Sequence, residues 1–343
     1  MLGALLDRYG DYLCLANLRP SKVWNAVRYL LARRKSGRLG YYPLYYMIET
    51  GNVCRLRCSF CCQGHYDLAV HSAKALLRYE DFTVLLGKIR KYALVLDLFK
   101  HGEPLLNADL ARMIAAARAA GIRCRVNTAL NGELSDAAVR DLARSGLDKL
   151  VCAIDGVTQE VYEKYRVKGS LALALENAGR ILRARRGRRP IVIFRMLVFE
   201  WNAHQVEDAR RLARDMGFDR FQADPGGNFI DGRPHVWEID RRRWTATQWH
   251  VESILTRHDA GVPGSRSGRP CPSLFNTLVL HANGASTVCC HSSRKEWEHD
   301  SLLELSLDKV WNSQVYIATR EFALGLDHDR SAVWPQCRHC CWL

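Results

Sequence analysis

Between Tyr45 and Ala223 the chain alternates short apolar runs with amphipathic helical patterns, and this alternation narrows the possible folds more than any other feature. The runs are Tyr45–Glu49, Leu94–Phe99, Arg123–Thr128, Lys149–Ile154, Ile191–Phe199 and Arg220–Ala223. Helical stretches such as Leu110–Ala120, Asp136–Ser145, Leu171–Arg183 and Val206–Met216 lie between them. Parallel neighbours need a crossover helix, so six strands alternating with helices predict an α/β fold with a parallel sheet. Closed or partly closed, this is a partial (β/α)6 TIM-type barrel, whose chemistry sits at the C-terminal ends of the strands.

The flanks divide the rest. Residues 1–42 form an N-terminal helical extension, in which Ser21 is expected to cap a helix through Val23, Trp24, Val27, Tyr29, Leu30 and Leu31, with its apolar face on the main domain. Residues 43–225 make the barrel, 226–270 a connector rich in Gly, Pro, His and Arg, and 271–343 a compact cysteine-bearing tail. No internal repeat is evident. The net charge of +14 fits solubility, with an anionic substrate or acidic partner as the sharper alternative. The basic runs Arg183–Arg189 and Arg241–Arg243 lack interleaved aromatics, so no nucleic-acid surface is expected. No apolar run is long enough to span a membrane, and the first residues do not read as a secretory signal. A cytoplasmic, reducing setting is therefore expected, where thirteen cysteines point to metal ligation or redox chemistry rather than to disulfides. Nine of them lie in tight groups at 54/58/61/62, 289/290 and 337/340/341.

The first group follows the first strand. Cys54, Cys58 and Cys61 can wrap one corner of a four-iron, four-sulfur cube and leave one iron open, as a catalytic metal site requires. Zinc is the competing reading, but a structural zinc wants a fourth ligand, and the adjacent Cys62 points away from Cys61. In the tail, Cys271 and Cys289 followed by Cys337 and Cys340 make a complete four-thiolate set. Four cysteines also suit zinc well, and Cys290 or Cys341 could each replace a neighbour as ligand.

The spacing Cys-x3-Cys-x2-Cys, with the aromatic Phe60 before the last cysteine, resembles the motif of the radical S-adenosylmethionine superfamily, and the resemblance runs from about Tyr45 to Cys340. It implies that S-adenosylmethionine chelates the open iron of the first cluster through its methionyl amine and carboxylate, with Phe60 near the adenine. His101-Gly102-Glu103-Pro104 looks like the Gly-Gly-Glu segment that holds the methionyl amino group, with His101 in place of the first glycine and expected to make a buried polar contact. Val151-Cys152-Ala153-Ile154-Asp155-Gly156 resembles the segment that contacts the cofactor's ribose and carboxylate, although Ala153 stands where serine is usual. Asp155 and Arg166 are placed to share that task; on physics alone, Asp155-Gly156 reads equally well as a strand-ending turn. Asn127-Thr128-Ala129-Leu130-Asn131-Gly132 resembles a third-strand Thr-Asn-Gly segment, and no firm role is assigned to Thr128.

The tail spacing resembles the twitch domain, the short relative of the SPASM tail, and implies one auxiliary four-iron, four-sulfur cluster. The resemblance implies radical generation from S-adenosylmethionine, hydrogen abstraction from a small-molecule substrate, and an external one-electron reductant of flavodoxin or ferredoxin type. Twitch-bearing relatives include the dehydrogenase of butirosin biosynthesis, whose tail spacing is similar. The favoured reaction is therefore dehydrogenation of a polyhydroxylated or amino-sugar-type intermediate, with the tail cluster accepting an electron. Epimerisation with a cysteine as hydrogen donor, or peptide maturation, are the alternatives. Arg195 and Gln222 are expected to face the barrel interior as catalytic candidates, with buried structural hydrogen bonding as their other reading.

Overall fold

A computed structural model describes residues 19–33, 35–58, 61, 75–230, 233–236, 271–289, 298–334 and 337. Six parallel strands form the barrel wall: β1 (Tyr45–Ile48), β2 (Val95–Asp97), β3 (Arg123–Thr128), β4 (Lys149–Ala153), β5 (Ile191–Val198) and β6 (Arg220–Pro225). Strand and helix placement follow the sequence pattern closely, because each strand is bounded by turn residues and each crossover carries its own apolar stripe.

The helix α1 (Pro20–Leu31) precedes the barrel. Crossovers are made by α2 (Tyr79–Ile89), α3 (Leu110–Ala119), α4 (Asp136–Arg144), the pair α5 (Gln159–Tyr165) and α6 (Leu171–Ala184), and α7 (Val206–Asp215). Helix α2 buries Phe82, Leu85, Leu86 and Ile89, and α3 buries Leu110, Met113, Ile114 and Ala117, both at the spacing of one helical face. Ser135 and Ser170 cap α4 and α6 by accepting from Ala138 N–H and Leu173 N–H. These stripes close on the outward faces of the strands, where Leu96, Val126, Leu150 and Phe194 are buried together with Cys124 and Cys152. Both cysteines are core residues.

The tail does not stand apart. Its strand β9 (Thr277–Leu280) pairs in parallel with β1 along its whole length, from Tyr45 against Thr277 to Ile48 against Leu280. Strands β10 (Ala285–Thr287) and β11 (His299–Ser301) continue antiparallel, giving one nine-stranded sheet in the order β11-β10-β9-β1-β2-β3-β4-β5-β6. Helices α8 (Ser273–Asn276), α9 (Leu307–Trp311) and α10 (Gln314–Leu324) cover this extension. Within the stretch read as a connector, β7 (Gly227–Ile230) and β8 (Arg233–Val236) pair as an antiparallel hairpin.

The expectation for α1 needs correcting. Pro20 starts the helix after Arg19, and Ser21 lies inside it with no cap bond from a side chain. The face turned to the barrel is mixed: Lys22 Nζ donates to Ala120 O and Gly121 O at the end of α3, Asn25 exchanges two hydrogen bonds with the Tyr42 backbone, and Ala26 and Tyr29 pack against the core. The apolar Val23, Trp24, Leu30 and Leu31 are exposed. Unpaired carbonyls at a helix end draw Lys22 into this contact. Among the described residues, no helix is long and apolar enough to cross a membrane.

Candidate active site at the C-terminal rim

The loop after β1 carries Cys54, Cys58 and Cys61, and three neighbouring segments fix its path. Asn52 exchanges backbone and side-chain bonds with Ala75, while Asn107 Nδ2 donates to Thr50 O and Leu77 O. Glu103 N–H donates to Val53 O at 2.8 Å. Gly102, at φ +74°, lies so close that a Cβ there would stand 2.3 Å from Gly51 O. Only glycine fits that approach. Farther along, Arg57 N–H donates to Val167 O, tying the loop to the segment after α5.

Cys58 is buried, Cys54 and Cys61 half-buried, and all three pack with Leu56, Ala129, Tyr165 and Phe199. Burial pushes the Cys54 thiol up to about 11, with Glu103, Cys58 and Cys61 adding to the rise. Burial raises Cys58 as well, against the pull of Arg166, and Cys61 adds to the rise. Three thiols near enough to oppose one another's ionisation form a donor set that a cationic cluster would hold as thiolates. The set fits an iron–sulfur cluster bound through three cysteines.

Beside the loop lies a ledge of buried acids and one arginine. Glu103 is pushed up by burial, opposed by bonds from Thr128, Leu105 and Ala129. Its Oε1 accepts from Thr128 Oγ1 and Leu105 N–H, and its Oε2 from Ala129 N–H at 2.9 Å. Thr128 therefore positions Glu103, a role the sequence did not signal. The next residue, Pro104, is buried and opens a short 3-10 turn. Asp155, fully buried, accepts from Arg166 Nε and Leu197 N–H, both at 2.6 Å. Arg166 Nη1 reaches Cys58 Sγ at 3.7 Å. The rim thus brings Glu103, Asp155, Arg166 and the cluster cysteines together. Phe60 lies outside the described residues.

In the tail, Cys271, Cys289 and Cys337 meet. Burial raises Cys271 and Cys337, and each is raised further by the charge of Cys289. These thiols fit a second cluster; Cys340, Cys290 and Cys341 lie outside the described residues.

Comparison with known proteins agrees with this geometry. The Radical SAM superfamily profile matches residues 48–213, and the SPASM profile, an iron–sulfur cluster-binding domain, matches residues 271–341. A probable GTP 3′,8-cyclase of Aeropyrum pernix is 30% identical over 258 residues, which is 71% of this chain and 68% of that one. The chain belongs to the radical S-adenosylmethionine superfamily. Among solved structures, SuiB of Streptococcus suis bound to S-adenosylmethionine superposes with a TM-score of 0.64 at 14% identity, covering 99% of this chain and 81% of that one. The enzyme anSMEcpe with bound S-adenosylmethionine gives a TM-score of 0.59 at 13% identity over 87% of this chain and 88% of that one. Both show a shared fold. As a radical S-adenosylmethionine enzyme with a SPASM tail, the chain uses S-adenosylmethionine, a first four-iron cluster and auxiliary iron–sulfur chemistry.

The inner face of this radical S-adenosylmethionine barrel is polar. Arg195 on β5 sits opposite Gln222 on β6. Neither acts alone: Arg195 Nε donates to Asp224 Oδ2 at 2.7 Å, and Gln222 Nε2 donates to both oxygens of the same carboxylate. Asp224, one pleat along β6, escaped the sequence reading; the alternation Gln222-Ala223-Asp224 was the available signal. On the opposite wall, Arg125 Nε donates to Asp97 Oδ1 at 2.6 Å and Arg125 Nη2 to Tyr45 OH. His101 contacts Glu49, with Nδ1 3.2 Å from Oε1, as the expected buried polar contact.

Proposed function

We propose that this enzyme oxidises a polar, hydroxylated small molecule by two electrons, turning a carbinol carbon into a carbonyl. The observation that carries this reading is the gathering of Cys271, Cys289 and Cys337 in a tail whose first strand is hydrogen-bonded along β1, beside the loop of Cys54, Cys58 and Cys61. Two cluster sites on one sheet suit an electron passed inward from the substrate. When bound, the first cluster and S-adenosylmethionine supply hydrogen-atom abstraction by a 5′-deoxyadenosyl radical; release of the hydroxyl proton and transfer of the remaining electron to the tail cluster balance the oxidation.

The chain's own residues bind and orient. Arg166, locked by Asp155, offers its guanidinium to the cofactor carboxylate, and Glu103, held by Thr128 and Ala129, accepts from the methionyl ammonium. Arg195 and Gln222, anchored on Asp224, line the substrate side, Gln222 being exposed. A wall of hydrogen-bonding groups selects a substrate rich in hydroxyl or amino groups. The GTP 3′,8-cyclase relative is named for a substrate of that polar kind. Electrons enter from an external one-electron reductant.

The test is a reaction run in deuterium oxide, with the product weighed. A product two mass units lighter than substrate supports oxidation. An isomer carrying one deuterium overturns it in favour of epimerisation. Cys289→Ala should stop product formation while deoxyadenosine continues to form.

A further inference from the structure

A third cluster of ligand-type side chains lies apart from both cysteine sets. Glu49 follows β1, His101 follows β2 and His281 follows β9, so three adjacent strands of one sheet each deliver one group to the seam between barrel and tail. Their side chains are 2%, 11% and 5% exposed. One ligand atom from each lies within 4.8 Å of the others.

Two arrangements explain such a group: histidines hydrogen-bonded to a carboxylate, or three donors around one ion. His101 Nδ1 stands 3.2 Å from Glu49 Oε1, and His281 Nδ1 3.5 Å from Glu49 Oε2. An ordinary N–H···O bond runs from about 2.7 to 3.2 Å. Two donors each about 2.1 Å from a tetrahedral ion stand about 3.4 Å apart. The 3.2 Å contact lies within the hydrogen-bond range and the 3.5 Å contact beyond it; both match the spacing of donors that share one ion. A second observation is independent of these distances: His281 Nε2 is buried and has no hydrogen-bond partner. The contact to Glu49 runs through Nδ1 and leaves this second ring nitrogen without an account, and it is Nε2 that coordination would use. The carboxylate is also held from behind, since His101 N–H and Ala282 N–H donate to Glu49 Oε1 and Oε2 at 3.3 and 3.2 Å. Main-chain donors to a ligating carboxylate fix its direction as outer-shell partners do.

The charges facing the group are mixed. Glu298 Oε1 is 3.8 Å from His281 Nδ1, whereas Lys100 Nζ is 3.3 Å from both ring nitrogens of His101. The lysine opposes a cation and the second carboxylate favours it. Lys100 is partly exposed and on a flexible stem that can turn away, so it tunes affinity rather than blocking the position.

We propose that Glu49, His101 and His281 hold one zinc-class divalent ion, separate from the iron–sulfur clusters, that staples the tail to the barrel rim. Two imidazoles and a carboxylate are a donor set for such an ion, and the fourth position is left to water.

The experiment uses the full chain with both clusters reconstituted, exposed to one equivalent of zinc, desalted and analysed for metals. About one zinc per chain should remain, with nitrogen and oxygen but no sulfur neighbours at the zinc X-ray absorption edge. His281→Gln and Glu49→Gln should each weaken retention by about tenfold or more with iron and sulfide unchanged, and Lys100→Met should strengthen it. Zinc with sulfur neighbours places the ion in a cysteine set and overturns the proposal. So does zinc retained equally by His281→Gln, or no zinc retained by the wild type. If His281→Gln does not fold, Lys100→Met decides alone, and unchanged zinc affinity there overturns the site.

Discussion

Replacing Asp155 with asparagine tests how the cofactor ledge is held. Asp155 is wholly buried and Arg166 has a side chain only 13% exposed, so neither charge has much water to fall back on. Removing one partner of a buried, hydrogen-bonded pair leaves the other charge uncompensated, at a cost of about 3–5 kcal/mol. Asparagine keeps one acceptor oxygen for Leu197 N–H, and the Asp155 main-chain bond from Asn202 is untouched, which puts the expected loss near the lower end, about 3 kcal/mol. A chain of 343 residues melting as one unit has an unfolding entropy of about 0.7 kcal/mol/K, so the midpoint should drop by about 4 °C. Anaerobic calorimetry of Asp155→Asn, Arg166→Met and the double variant reads the coupling directly. The double variant should melt above Asp155→Asn, because the orphaned guanidinium is gone. Losses that simply add, or an Asp155→Asn chain that melts like wild type, would refute the idea that the pair works as a unit.

Other perturbations probe the same rim. Glu103→Gln separates binding from stability: a carboxyl raised by burial binds its proton more tightly folded than unfolded, so stability is lost as pH climbs from the ordinary value of 4.5 through the raised one. The glutamine chain should lack that decline in melting temperature, while S-adenosylmethionine binding measured by calorimetry collapses. Thr128→Val removes a donor to a buried carboxylate and should weaken cofactor binding by about tenfold, near 1.5 kcal/mol, in the same titration. Gly102→Ala forces a Cβ to 2.3 Å from Gly51 O at a left-handed φ, so the loop must shift, and iron content should fall by about four atoms per chain as the first cluster is lost.

Much of this was readable residue by residue. The six barrel strands coincide with the apolar runs to within two residues at each end, because a strand covered by helices writes its burial into a local pattern. Helices α2 and α5 were not read, since Tyr79–Ile89 starts after Arg78 with no side-chain cap to mark it and Gln159–Tyr165 spans under two turns. Of the apolar face read for helix α1, Tyr29 packs on the core while Val23, Trp24, Leu30 and Leu31 stay exposed. Its amphipathic pattern is real, yet the carbonyls of Ala120 and Gly121, about a hundred residues away, draw Lys22 inward instead.

The sequence alone determined the class of chemistry, because ligand spacing is a local property: with three and two residues between them, Cys54, Cys58 and Cys61 can face one corner of a cluster. The tertiary structure decided which side chains serve that chemistry. Thr128 grips Glu103 across 25 positions, Asp224 anchors Arg195 across 29, and Glu49 meets His281 across more than two hundred. It also decided that the tail shares a sheet with the barrel, through β9 paired along β1. Backbone pairing and the desolvation of a buried carboxylate depend on which distant strands become neighbours, and no local pattern of residues records that.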